Sequence, residues 1–271
     1  MEGFKNQGSD RGSPSLSALV PIPFRIMTSQ PCRLLISETF LKLHFQYFQP
    51  SLSTQKLILI YHKVRLTDIY LVRHGESEWN REGRIQGQFN SPLTEFGVAQ
   101  AKAISSFLSD HLSYDQIRIY SSPLGRAQQT AEIIAEGINQ SVESIVIEPR
   151  LNDFNLGEIA GTYGWDKVAE LYPELADLRL NNPMHFHPPG GESGADFKAR
   201  LMEFMDEIVD HETPKLLVSH GIVNKFIRGI RKNLSGKQMI ELGESQDTIY
   251  HLNNTQDQEI KVPDWLELIP N

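Results

Sequence analysis

The sequence predicts an α/β fold: a three-layer α/β/α sandwich with a mostly parallel sheet and a small cap insertion. Three observations predict it. From Thr67 onward, short apolar runs alternate with segments of helical period, the signature of strand–helix–strand units. Two of the runs end alike, Ile69-Tyr70-Leu71-Val72 leading into Arg73-His74-Gly75 and Leu216-Leu217-Val218 into Ser219-His220-Gly221. A stretch over 155–193, rich in Gly, Pro, Tyr and Trp, interrupts the alternation and reads as the cap.

Taken in order, strands are expected over 68–73, 116–121, 144–149, 215–220 and 246–252. The first helix follows Thr94, whose hydroxyl suits the free N–H groups of a helix start. Val98, Ala101, Ile104 and Leu108 then share one face. The second begins near Pro123, whose fixed φ fits a first turn. Its stripe is Ala127, Ala131, Ile134 and Ile138, and Gly137 ends it. Within the cap, a short helical piece is expected near Trp165–Leu171. A longer helix runs from Gly194 to Asp210, with Ser193 as its cap and Asp196 completing a capping box. Its apolar face is Phe197, Leu201, Phe204, Met205 and Ile208. The last helix covers Ile222–Ile230.

Composition narrows the classes. With 39% hydrophobic and 22% charged residues in 271, the chain is ordinary for a globular protein. No run of eighteen apolar residues exists, so no membrane helix is expected. The single cysteine, Cys32, excludes an intrachain disulfide and fits a reducing, cytoplasmic setting. The net charge of −8 is uneven: residues 1–65 carry +5 and the remainder −13. An acidic body argues against nucleic acid as the partner, because phosphate-backbone binding needs a basic face.

Residues 1–66 differ from the rest. They show no sustained period, and prolines 14, 21, 23, 31 and 50 punctuate the stretch. Three expectations stand for this leader. It is an organellar transit segment, a loosely attached extension, or a stretch outside the natural protein if translation starts at Leu66. The domain is expected over 67–255, with a C-terminal tail over 256–271.

The chemistry concentrates at the strand ends. Ligands bind at the carboxyl ends of strands in open α/β sheets. Two His-Gly units there, with an arginine motif between them, suggest two histidines converging on one phosphate. The wording extends further: Arg73-His74-Gly75-Glu76-Ser77, Trp79-Asn80, Gln86-Gly87, Pro92-Leu93-Thr94, then Ser121-Ser122-Pro123-Leu124-Gly125-Arg126-Ala127-Gln128-Gln129-Thr130, then Ser219-His220-Gly221. In this order the motifs resemble the histidine phosphatase superfamily, the phosphoglycerate mutase-like family, over roughly residues 67–255. The leader shows no such resemblance.

The resemblance implies a phosphoglycerate mutase-like fold and gives each residue a role. His74 is the nucleophile, since a neutral imidazole nitrogen can attack phosphorus and split one hard step into two. Arg73 and Arg126 meet the phosphoryl oxygens, because a guanidinium fork matches phosphate and stays charged. His220 is the second histidine on the phosphate. Ser77, Asn80, Gln86, Gly87 and Gly221 are candidate substrate-binding positions. The family's acid falls within Arg-Leu-x-Glu-x-x-x-Gly; here Arg150-Leu151-Asn152-Asp153-Phe154-Asn155-Leu156-Gly157 places Asp153 there, with Glu158 as the alternative. An aspartate at that position must be raised by burial or by phosphate to act as an acid.

The resemblance leaves three functions to weigh. The first is hydrolysis of a small phosphomonoester through phosphohistidine. The second is mutase-type phosphoryl transfer. The third is a phosphate-binding regulatory module with little turnover. Hydrolysis is favoured because the mutases' paired arginine after the acid is replaced by Phe154-Asn155-Leu156-Gly157. In the cap, Tyr163, Trp165, Leu171, Tyr172, Met184 and Phe186 are candidates for an apolar wall. His185 and His187 lack a third ligand in sequence, so no metal is expected. No cofactor, nucleic acid or membrane partner is expected.

Overall fold

A computed structural model describes residues 68–112, 116–208, 213–253 and 256–262. The leader expected over 1–66 lies outside the described residues.

Six strands form one sheet: β1 (Ile69–Arg73), β2 (Arg118–Ser121), β3 (Val146–Ile147), β4 (Lys215–Ser219), β5 (Thr248–Leu252) and β6 (Gln258–Lys261). Their order is β3-β2-β4-β1-β5-β6. The first four are parallel, and β5 and β6 run antiparallel at one edge. β4 is buried throughout and β1 all but at Arg73, as expected for central strands covered on both faces. Leu71, Val72, Leu217 and Val218 have essentially no exposed surface. Burying each such side chain contributes about 1.5–3 kcal/mol.

The two faces carry separate cores. Tyr70, Val72, Ile119, Leu216 and Val218 pack against α2 (Glu95–His111) and α3 (Gly125–Gly137). Leu71, Tyr120, Leu217 and Tyr250 pack against α6 (Gly194–Glu207) and α7 (Gly221–Arg231). This is the three-layer α/β/α arrangement that the alternation predicts. α1 (Glu78–Arg81) is a single turn capped by Ser77. Thr94 caps α2, its hydroxyl accepting from the Gly97 amide at 2.9 Å.

The cap holds α4 (Gly164–Leu171) and α5 (Pro173–Asn181), joined through Tyr172. α8 (Gly236–Glu241) follows α7 and begins with a capping box between Ser235 and Gln238.

Several expectations need correction. The strand expected over 144–149 shrinks to two residues, because Pro149 has no N–H to extend the ladder and opens a 3₁₀ turn instead. The helix expected from Pro123 starts at Gly125. The Ser193–Asp196 pair is a one-way cap: the Ser193 hydroxyl accepts from the Asp196 amide and donates to its carboxylate. The expected tail from 256 begins with the edge strand β6. Among the described residues, no helix is long and apolar enough to cross a membrane.

Candidate active site

Parallel pairing of β1 with β4 sets Arg73 opposite Ser219. The next residue on each strand is a histidine, and the His74 amide donates to the Ser219 carbonyl at 2.9 Å. Their rings consequently meet edge-on, 5.2 Å between centroids. Both are almost completely buried.

His74 Nδ1 sits 2.7 Å from the Gly75 carbonyl oxygen. A carbonyl only accepts, so Nδ1 carries the proton and Nε2 presents its lone pair in the neutral ring. Burial, and then the charges of Arg126 and Arg73, hold this imidazole well below its ordinary range. His220 is likewise held down, first by burial and then by Arg126. Its Nε2 lies 2.8 Å from the Ser122 hydroxyl, while its Nδ1 faces Arg126 at 3.3 Å.

Arg126 knits the site together from the first turn of α3. Its Nε lies 3.2 Å from His74 Nε2, and its Nη2 lies 3.1 Å from Asp153 Oδ2. Further N–H groups donate to the carbonyls of Phe89 at 2.6 Å and Gly87 at 2.9 Å. Gly87 has φ +54°, a left-handed conformation glycine adopts without strain. A guanidinium with no exposed surface, anchored on backbone carbonyls, keeps its charge in a fixed place.

Asp153 lies beyond the 3₁₀ turn Pro149–Leu151. Burial pushes its carboxyl up, opposed chiefly by Arg126. Its side chain lies in the cavity wall and keeps 16% exposure. Arg200 of α6 braces this segment, donating to the carbonyls of Asn152 and Asp153 at 3.0 and 3.1 Å.

A cavity of about 430 Å³ gathers Arg73, His74, Asn80, Gln86, Gly87, Asp153, His220 and Gly221 on its wall. Arg126, fully buried, is not among the lining residues and reaches the cavity wall through its contacts to His74 and Asp153. Ser77 is elsewhere: fully buried, it caps α1 and accepts from Gln86 Nε2 at 2.7 Å. Glu158 is exposed and does not line the cavity. Of the expected apolar wall, Trp165 and Phe186 line it; Tyr163 and Leu171 point to solvent, at 62% and 57% exposure. Tyr172 and Met184 pack on the core instead. His185 and His187 are exposed and bond to Asn182 and Gly191. Among the described residues, no group of three metal-ligating side chains forms.

The Nε N–H of Arg73 is buried beside this cavity without a protein partner. The N-terminus of α7 begins at Gly221 in the same wall, and helix N-termini favour anions. Two neutral imidazoles, a lone pair at Nε2 and two fixed guanidinium groups suit a phosphoryl group, whose charge spreads over three oxygens.

Sequence reasoning missed several groups at the site. Gln246 Nε2 donates to the His74 carbonyl at 3.1 Å and to Asn80 Oδ1 at 3.2 Å. Glu244 is buried, accepts from Asn224 at 2.9 Å and Arg228 at 3.2 Å, and is pushed up to about 7 by burial. Arg84, Arg179 and Lys225 also line the cavity. No motif marks these positions; packing alone brings them in.

Comparison with known proteins identifies the family. The chain is 36% identical over 162 residues to "Probable phosphoglycerate mutase GpmB" of Yersinia pestis, covering 58% of this chain and 71% of that protein. The fold superposes on Bacillus stearothermophilus YhfR with a TM-score of 0.61 and 31% identity, covering 73% of this chain and 97% of that one. It superposes on the mycobacterial glucosyl-3-phosphoglycerate phosphatase with a TM-score of 0.59 and 25% identity, covering 69% and 90%. The model of the histidine phosphatase superfamily, branch 1, matches residues 69–262, which hold both histidines, both arginines and the acid between them. The chain therefore belongs to the histidine phosphatase superfamily.

Proposed function

We propose that this chain hydrolyses a small phosphomonoester through a phosphohistidine at His74. The observation that carries the reading is the tautomer: with Nδ1 bound to the Gly75 carbonyl, Nε2 of this cavity-lining histidine is unprotonated and accepts from Arg126 Nε at 3.2 Å.

The steps follow from the side chains present. Nε2 of His74 attacks phosphorus, and the bond from phosphorus to the ester oxygen breaks. Arg126, Arg73 and His220 hold the oxygens of the transferring group. The Asp153 carboxyl gives its proton to the departing oxygen, so the alcohol leaves neutral. Water then attacks the phosphohistidine and surrenders a proton to the Asp153 carboxylate. The phosphorus–nitrogen bond breaks, and inorganic phosphate and neutral His74 are restored.

Hydrolysis is favoured over mutase transfer by the residues after the acid. The segment after the acid lacks the paired arginine of the mutase pattern, and its Phe154 and Leu156 give the cavity an apolar lining instead. The solved relatives include one titled a phosphatase. The curated relative named as a mutase keeps the alternative in view. Cytoplasmic residence is part of this reading.

Phosphate release from a panel of phosphomonoesters, 3-phosphoglycerate among them, tests it with wild type and His74→Ala side by side. Turnover by wild type that vanishes in the variant supports hydrolysis. Isomerisation of 3-phosphoglycerate without phosphate release favours the mutase, and neither reaction favours the binding module.

A further inference from the structure

We propose that the cavity carries a second anion subsite, built from Arg179 of α5 and Lys225 of α7. The favoured substrate is then a phosphomonoester whose apolar body bears a second oxyanion, a carboxylate or phosphate. This rests on the phosphomonoesterase reading of the cavity.

Arg179 is the first observation. Its guanidinium stacks on the Trp165 ring, 3.8 Å from the centroid, and both residues line the cavity. Burial lowers its pKa, and no carboxylate offsets the loss of water. Elsewhere in the fold, half-buried arginines are matched: Arg150 with Glu148, Arg200 with Glu192 and Arg231 with Asp257. Among the described residues, Arg179 makes no ion pair. Stacking on an indole fixes the guanidinium plane without using its N–H donors.

Lys225 is the second. Its Nζ gives one hydrogen bond, 2.9 Å to the Ile240 carbonyl, and has donors to spare. Burial depresses its pKa, and the charges of Arg179, Arg73 and Arg228 depress it further. Glu244 is the carboxylate acting on it in the other direction. That carboxyl, however, is held by Asn224 and Arg228 and lies outside ion-pair range of Lys225. Two cations thus share a partly desolvated cavity, and among the described residues neither is ion-paired with a carboxylate. Such an arrangement costs free energy in the empty protein, and an oxyanion relieves it.

The space between explains the body. Ile222, Phe226, Ile240, Trp165, Phe186 and Leu156 supply the apolar lining. This places recognition of the second charge on the cap and α7, away from the segment following the acid.

The test compares kcat/KM for 4-carboxyphenyl phosphate and for the neutral 4-(hydroxymethyl)phenyl phosphate. Wild type is expected to prefer the carboxylate by tenfold or more, since one charge-assisted contact is worth about tenfold. Arg179→Gln and Lys225→Gln should each cut that ratio about tenfold, mainly through KM, while Lys225→Arg keeps it. A wild-type ratio near one, or a ratio unchanged in every variant, overturns the subsite. Should no ester turn over, calorimetry with 4-carboxyphenylphosphonate and phenylphosphonate separates the two claims. A carboxylate preference lost in the variants upholds the subsite while the hydrolase reading fails; no preference overturns the subsite.

Discussion

Arg126 Nε approaches His74 Nε2 to 3.2 Å, so the nucleophilic nitrogen and the cation that would steady the phosphoryl group are held in one contact. The contact also discourages protonation of the imidazole, since a proton at Nε2 would face a guanidinium. Arg126→Lys keeps a charge but loses the fork that spans Gly87, Phe89 and Asp153. Turnover of a phosphomonoester should fall about 10²–10³-fold, the usual cost of one lost transition-state donor. Steady-state kinetics on the best ester of the panel measures it; a loss under tenfold would show that Arg126 only supports the fold.

Asp153 predicts a leaving-group effect. If its carboxyl protonates the departing oxygen, Asp153→Asn should slow alkyl phosphates about 10²–10⁴-fold. Esters such as p-nitrophenyl phosphate need no proton and should slow far less. The pH profile follows from the same residue. His74 stays neutral well below 6.5, so the acid side is not limited by the nucleophile. Asp153, raised above its ordinary 3.8, must be protonated in the first step, so kcat/KM should decline as pH rises through that raised value. Equal slowing of both ester classes would move the acid role elsewhere.

Glu244 makes stability depend on pH. Below 4.5 the carboxyl is protonated in folded and unfolded chains alike. Between 4.5 and about 7 only the folded chain keeps the proton, so stability falls as pH rises. The contribution lost amounts to about 3 kcal/mol once both states are ionised. Urea unfolding from pH 4.5 to 8 should show a shallower decline in Glu244→Gln than in wild type. Parallel curves would mean that Glu244 ionises normally.

The start of the catalytic loop is packed backbone on backbone. A Cβ on Gly97 would lie 2.0 Å from the Glu76 carbonyl oxygen, and one on Gly75 would lie 2.2 Å from that of Gly97. Neither neighbour is a side chain that could swing away. Gly97→Ala should cost about 3 kcal/mol or more, as a forced backbone shift in a packed core. A thermal melt checks this, and a Tm within a degree of wild type would contradict the close approach.

Legibility in the sequence followed the kind of signal each element carries. β1 and β4 stand out because apolar runs of four and three residues each lead, one residue later, into His-Gly. α6 stands out because Ser193 and the spacing of Phe197, Leu201 and Phe204 agree. α5 offers only Pro173 at its start, and none of its residues is fully buried, so no apolar stripe marks it. β6, Gln-Glu-Ile-Lys, is a polar edge strand with one half-buried residue, and edge strands need no alternation to pair. At the site, His74, Arg126 and His220 were readable because the motifs are contiguous. Arg179, Lys225 and Glu244 were not: each is an ordinary charged residue on its own element, made relevant by where those elements converge.

The register of β1 against β4 has a further consequence. Because His74 and His220 follow paired residues on hydrogen-bonded neighbours, their separation is a property of the backbone ladder, whose strands lie about 4.8 Å apart whatever the side chains. The sheet acts as a gauge cut to one molecular size. Drift in the cap can change which molecule is admitted without altering that gauge. Only a slip in pairing could, and a slip of one residue would turn His220 to the opposite face of the sheet, abolishing the site rather than adjusting it.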